Sequence, residues 1–276
     1  MNSTRLKQKL TRPNRRKQAL AGLDTAIILI AFVITASVLA YVAVNMGLFV
    51  TQKAKALLNN GQERASTALE VAGSVLYSTN YPSNTKSYWI YFEISPSAGI
   101  SAVQLAPATT SIGFTAAVDN LALSNMYNYT LLTSTTGANL LKISSGGQTY
   151  YYYPSAYAAL LDLNGTTPSS VYHDNAAKTC AANYNCFNFT NAGTTYTAWV
   201  GKSVAFTFPI SGDPLVGSAI APAGSVIGTM LLFGPNTGKN VFQYQQIQVD
   251  ITPNIGSSLT ITEYVYQPSG TVTTIG

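Results

Sequence analysis

Between Ala26 and Val50 the chain carries no charged side chain, and seven basic residues (Arg5, Lys7, Lys9, Arg12, Arg15, Arg16 and Lys17) stand in front of that run. Fifteen of its 25 residues are Ile, Leu, Val, Phe or Met. Burying each is worth roughly 1.5 to 3 kcal/mol, so the run as a whole must leave water. As an α-helix it measures about 37 Å at roughly 1.5 Å per residue, enough to cross a bilayer core of about 30 Å. Being apolar on every side, it suits lipid and a bundle of like helices equally. A secretory signal has a shorter apolar core, about 7 to 15 residues, with its cleavage site behind it, so this run is too long for one. A permanent anchor fits the length, and the basic residues would hold the N-terminus in the cytoplasm.

The junction adds a second reading. Lys17-Gln18-Ala19, followed by Leu20-Ala21-Gly22-Leu23-Asp24-Thr25 and the apolar Ala26-Ile27-Ile28-Leu29-Ile30, resembles the class III signal peptide of archaeal type IV pilin-like proteins. Asn45-Met46-Gly47 and Gln52-Lys53-Ala54 resemble the turn and helix continuation of archaellins, the subunits of the archaeal flagellum. The resemblance covers roughly residues 12 to 75 and combines several short motifs, each weak alone. It implies that a prepilin-type peptidase cuts between Ala19 and Leu20 on the cytoplasmic side, making the hydrophobic helix the new N-terminus. Ala19 stands where the family more often has Gly, and Asp24 stands where many archaellins carry Gly and bacterial type IV pilins carry Glu.

Asp24 has two readings. An acid in the first turn of a helix complements the macrodipole by typically 0.3 to 1 kcal/mol. Alternatively its carboxylate meets the free amine of Leu20, on its own or a neighbouring chain, since a buried charge needs a partner.

Cleavage would also invert the charge. The chain has 15 Lys and Arg against 10 Asp and Glu, a net +5, but seven of the basic residues precede Ala19. What remains sums to −2 over the side chains. No basic patch with interleaved aromatics is left, so a nucleic-acid partner is not expected.

From Thr51 to Leu76, Ala54, Leu57, Leu58, Gly61, Ala65, Ala68, Leu69, Ala72, Val75 and Leu76 recur at helical spacing. The pattern predicts one helix to about Tyr77–Asn80, weakest at Asn59-Asn60-Gly61, where Gly costs roughly 1 kcal/mol relative to Ala. Beyond Tyr81 the composition turns to Ser, Thr, Asn, Gly, Tyr and Val, with short apolar runs such as Tyr88–Ile94, Val204–Phe208 and Ile247–Ile251. These are strand signals separated by turn residues, and nearly 200 such residues suggest a β-sandwich. Ser155 to Leu163 is a weaker helix candidate. The expected class is therefore α+β: a removable leader over 1–19, a long helix over 20–80 and a β-domain over 81–276. The resemblance implies that this β-domain is immunoglobulin-like.

Only 9% of the chain is charged. A surface of hydroxyls and amides keeps its character in acid; dense subunit packing or sugar cover explains it as well. Sequons at Asn128, Asn164 and Asn188 each place a hydroxyl two residues after the amide, as N-glycosylation requires. Asn2 also matches, but in the cytoplasmic leader. Cys180 and Cys186 are the two cysteines, and an exported compartment favours a disulfide closing a small loop. A metal site would have to combine the two thiols with His173 and Asp174 at unusual spacing.

For an enzyme the inventory is thin: His173 beside Asp174 is usually solvated polar sequence, and no phosphate loop or activated-serine elbow is present. The tyrosines read as strand packing. No cofactor is expected.

The reading that results is a structural subunit of an extracellular archaeal filament, the archaellum, polymerising with copies of itself. Close packing would be selected by small residues including Ala36, Ala40 and Gly47. By the resemblance, the other partners are the membrane for the precursor, the peptidase, and the export and motor proteins of the archaellum. Two alternatives stay open: an archaeal adhesion pilin, and a surface binding protein anchored by an uncut helix.

Overall fold

The computed structural model describes residues 15–66, 69–97, 102–163, 171–174, 180–181, 183–211, 218–236 and 242–275. The chain divides into two compact units, Met1–Asn60 and Gly61–Gly276.

The first unit is helical. Helix α1 runs from Arg15 to Ser66 without interruption. Asn45-Met46-Gly47, where the resemblance implies a turn, lies inside it, and so does Asn59-Asn60-Gly61. The expected continuation to Tyr77–Asn80 is overturned: α1 ends at Ser66 and strands begin at Leu69. Leu69, Val71, Val75 and Tyr77 fit a two-residue period while Leu69, Ala72, Val75 and Leu76 fit a helical one, and tertiary pairing decides between them. Leu69, Val75 and Tyr77 are buried in the core of the second unit.

In chain order the next strands are β1 (Leu69–Val71), β2 (Val75–Thr79), β3 (Ser87–Pro96), β4 (Ala102–Gln104), β5 (Ser111–Ala116) and β6 (Leu121–Leu123). β7 (Tyr127–Thr130), β8 (Leu141–Ser145) and β9 (Gln148–Tyr152) lead to a short helix, α2 (Ala156–Leu163). Ser155 caps α2, its Oγ accepting the Ala158 N–H at 3.1 Å. β10 (Val171–Asp174), β11 (Asn185–Asn191), β12 (Thr194–Val200), β13 (Val204–Ser211) and β14 (Ile220–Pro222) follow. The last are β15 (Val226–Leu232), β16 (Gln245–Thr252), β17 (Leu259–Val265) and β18 (Val272–Ile275).

A seven-stranded sheet has the order β18-β2-β3-β15-β13-β7, with β1 also pairing β3. A four-stranded sheet has the order β17-β16-β5-β6. Ile90, Phe92 and Leu231 of the larger sheet share one core with Phe114, Ile247, Val249 and Ile261 of the smaller one, which is the expected sandwich. Phe114 and Phe233 pack in it with ring centroids 5.0 Å apart.

The larger sheet is buried on its second face too. Trp89, Phe206, Phe208, Met230 and Leu232 join a separate core with α2 and with Phe187, Phe189 and Ala198 of a three-stranded sheet, β10-β12-β11. β13 is accordingly buried at every position from Val204 to Pro209, whereas β16 alternates buried with less buried residues. A strand covered on both faces reads as a continuous apolar run, and one covered on a single face alternates. The buried Asn185 amide is paired, donating to the carbonyls of Ser87 at 2.7 Å and Phe233 at 2.8 Å.

Candidate functional site

The fold leaves the apolar surface of α1 open. From Gly22 to Asn59 the helix forms a 38-residue span long and apolar enough to cross a membrane, with none of its apolar stretch buried. Phe32, Leu39 and Leu58 are each more than 70% exposed. A helix apolar all round is stable only when something apolar surrounds it.

Its hydroxyls fit that demand. Thr25 donates to the Gly22 carbonyl at 3.2 Å, Thr35 to Phe32 at 3.0 Å, Ser37 to Ile34 at 2.8 Å and Thr51 to Gly47 at 2.7 Å. Each is satisfied by the helix's own backbone, so it can enter an apolar phase without an unmet donor. The Lys53 ammonium folds back over the Phe49 ring, 5.7 Å from its centroid. This contact is of the cation–π type, and the long stem covers apolar surface.

Ala36, Ala40, Ala43 and Gly47 follow one another at helical spacing and share a face of α1, all exposed. A Cβ on Gly47 would meet nothing within 4 Å. Glycine costs a helix about 1 kcal/mol relative to Ala, and the chain's own packing does not ask for it here. Small residues on one face let helix backbones approach closely.

Ala19 and Leu20 lie in the first two turns of α1. Asp24 is exposed nine residues after the start of the uncut helix, beyond reach of the first-turn dipole effect. In a chain starting at Leu20 it would stand four residues from the free amine, on the same face.

On the β-domain, Asn128 and Asn188 are exposed and lie on edge strands, β7 and β11. The Asn188 Oδ1 accepts the Thr197 hydroxyl at 2.8 Å. The hydroxyl of its sequon partner, Thr190, is exposed, 3.4 Å from that of Thr195. At the Asn128 sequon the Thr130 hydroxyl is turned inward, 2.9 Å from Thr207, and accepts the Leu132 N–H at 3.3 Å. Asn164 lies outside the described residues.

Cys180 and Cys186 are joined in a disulfide, with Cα atoms 5.9 Å apart. It holds the entry to β11, whose Asn185 makes the buried clamp described above. His173 and Asp174 occupy β10 opposite Ala198 and Thr197 of β12.

A long helix with an unburied apolar surface, joined to a weakly charged disulfide-bonded β-sandwich, defines a class of protein: subunits that assemble through the helix and display the β-domain. The model of the archaeal-type flagellin family matches residues 19–263. Flagellin FlaB2 of Saccharolobus shibatae is 55% identical over 95% of this chain and 95% of its own length. Probable flagellin 1 of Aeropyrum pernix is 56% identical over 62 residues, 22% of this chain and 30% of that one. Among solved structures, the archaeal flagellum of Methanospirillum hungatei aligns over 92% of this chain and 98% of that one, at 15% identity and a TM-score of 0.47. The chain belongs to the archaeal-type flagellin family, a family of structural proteins.

Proposed function

We propose that α1 is the polymerising element of an archaeal flagellar filament, of which this chain is a structural subunit, and that it serves first as a membrane anchor. The observation that carries the reading is the unburied span from Gly22 to Asn59 with its hydroxyls already satisfied. The charge-free stretch from Ala26 to Val50 fills a bilayer core while the β-domain lies outside. A prepilin-type peptidase removes the basic leader between Ala19 and Leu20, and the freed helix leaves lipid for a bundle of identical helices.

One apolar environment replaces another in that transfer, so no large hydrophobic gain drives it. Packing selects the arrangement, and the face carrying Ala36, Ala40 and Gly47 provides it. Contacts that do not close into a ring generate an open helix of subunits. The subunit itself performs no chemistry; separate export and motor proteins supply the energy for growth and rotation.

N-terminal sequencing of filaments sheared from cells tests both halves of the reading. A start at Leu20 is the expected result. Filaments that contain the chain with its basic leader intact would overturn the cleavage step, and filaments without the chain would overturn the assembly role.

A further inference from the structure

The Thr35, Ser37 and Thr51 hydroxyls of α1 are satisfied by their own helix, but four other polar side chains are not. Tyr41, Asn45, Gln52 and Asn59 are exposed and make no hydrogen bond among the described residues. Among the described residues none of the four folds back onto the preceding turn as the Thr35, Ser37 and Thr51 hydroxyls do. The intervals of four, seven and seven residues place these four side chains within an arc of about 40°, at roughly 100° per residue. By the same geometry Ala36, Ala43, Gly47 and Ala54 lie on the opposite side of the helix, about 180° away.

We propose that these two faces are the two halves of one contact between successive copies of this chain. The stripe of Asn45, Gln52 and Asn59 on one α1 seats on the Ala43, Gly47 and Ala54 face of the next, and its amides donate to the backbone carbonyls exposed there. The inference rests on the filament reading above and deepens it by naming the partner surface.

Three arguments commit the stripe to a second α1. First, an open helical array repeats one heterologous contact, so each subunit must present two different faces, and α1 has them on opposite sides. Second, they are complementary in size: long polar side chains meet residues with at most one side-chain carbon, which leave helix carbonyls accessible. The carbonyls of Ala43 and Ala54 keep a second lone pair after their helical bond, whereas that of Gly47 already accepts the Thr51 hydroxyl. Third, an amide with no partner inside an apolar bundle is costly, and polar side chains recurring at seven-residue spacing are a device by which helices fix axial register.

The experiment is disulfide trapping in filaments of the full chain, whose native cysteines are already paired with each other. Double variants combine Asn45→Cys or Gln52→Cys on one face with Ala43→Cys, Gly47→Cys or Ala54→Cys on the other. The expected result is that at least one combination oxidises into a covalent ladder of many subunits, which requires both faces, while each single variant remains monomeric on denaturing gels. Dimers from the Asn45→Cys or Gln52→Cys single variants would show the stripe meeting itself and overturn the proposal. No ladder from any combination in intact filaments would overturn it as well.

A second variant covers the case in which cysteine prevents assembly. Asn45→Leu/Gln52→Leu/Asn59→Leu keeps the helix apolar and removes only the hydrogen bonds. With the β-domain exported and its disulfide formed, filament yield should fall about tenfold or more, the factor that roughly 1.4 kcal/mol represents. An undiminished yield would overturn the proposal. Absence of the wild-type chain from filaments would remove the filament reading itself, and that outcome is scored before any variant is made.

Discussion

The ring of Phe208 on β13 lies directly over the backbone of Gly228 on β15, the two residues being cross-strand partners. A Cβ at position 228 would come within 2.4 Å of the Phe208 Cζ and 2.6 Å of its Cε2. The ring has nowhere to retreat: Tyr91 stacks against it with centroids 6.2 Å apart, and Tyr153 meets it edge-on at 6.1 Å. Gly in a strand is ordinarily a weakness that another residue would repair. Here Gly228→Ala should instead destabilise the β-domain by about 1 to 3 kcal/mol, the usual cost of overpacking a core. Urea unfolding followed by tryptophan fluorescence measures it, and a neutral or stabilising effect would show that the ring is free to move.

A second prediction concerns alkaline pH. Burial pushes the phenol of Tyr77 up to about 12 despite hydrogen bonds from Ser87 and the Phe242 N–H. Burial raises Tyr127 to about 12 as well, against the opposing contacts of Thr207 and Thr130. In the unfolded chain a tyrosine loses its proton near pH 10. Between about pH 10 and 12 the unfolded state therefore binds fewer protons than the folded one, and stability falls as pH rises. The contribution of these two phenols is complete below about pH 10 and is lost through about pH 12, at roughly 1.4 kcal/mol per pH unit for each. Denaturant melts at stepped alkaline pH, with tyrosinate absorbance read in parallel, should show unfolding and ionisation of these two groups together. Ionisation in a still-folded domain would contradict the burial argument.

The turn between β11 and β12 holds a third. Ala192 and Gly193 both have positive φ, 49° and 81°. That geometry favours Asn-Gly, and alanine there carries steric strain between its Cβ and the backbone. Ala192 is exposed, so nothing else constrains it. Ala192→Asn should raise stability by about 0.5 to 1 kcal/mol, visible as a higher melting midpoint with an unchanged denaturant slope.

How far the fold is legible depends on whether local pattern or distant pairing decides it. The α1 span is written in a single uncharged run. β3, β13 and β16 are each visible as the runs Tyr88–Ile94, Val204–Phe208 and Ile247–Ile251, and the lone pair of cysteines forms the disulfide. The end of α1 is not legible, because Leu69 and Val75 belong to both a helical and a two-residue pattern until β3 and β18 supply the pairing. The second core is hidden for a similar reason. The unbroken burial of Val204 to Pro209 implies cover on both faces, but what provides it, α2 and the β10-β12-β11 sheet, comes from other parts of the chain. On α1 the seven-residue interval of Asn45, Gln52 and Asn59 is present in the sequence. It is obscured because the surrounding apolar residues dominate any reading by hydropathy.

The two described sequons should differ in occupancy. Both asparagines are exposed on edge strands, but glycosyl transfer also reads the hydroxyl two residues on. At Asn188 that hydroxyl, on Thr190, is exposed; at Asn128 it belongs to Thr130 and is engaged with Thr207 and Leu132. If transfer follows folding, mass spectrometry of filament peptides should find glycan at Asn188 in clear excess over Asn128. Equal occupancy would place modification before the β-domain closes.

Gly47 offers a test in which helix stability and assembly move in opposite directions. Open space surrounds its Cα in the single chain, so Gly47→Ala should strengthen α1 by about 1 kcal/mol through helix propensity alone. If a neighbouring helix packs against this face, the added methyl group separates the backbones, and Gly47→Leu separates them further. The expected order of filament yield is wild type, then Gly47→Ala, then Gly47→Leu with essentially none, while all three precursors stay in the membrane fraction. Ala36→Phe and Ala40→Phe, on the same face, should behave like Gly47→Leu. Normal filaments from Gly47→Leu would mean that this face is not packed and that the glycine serves some other purpose.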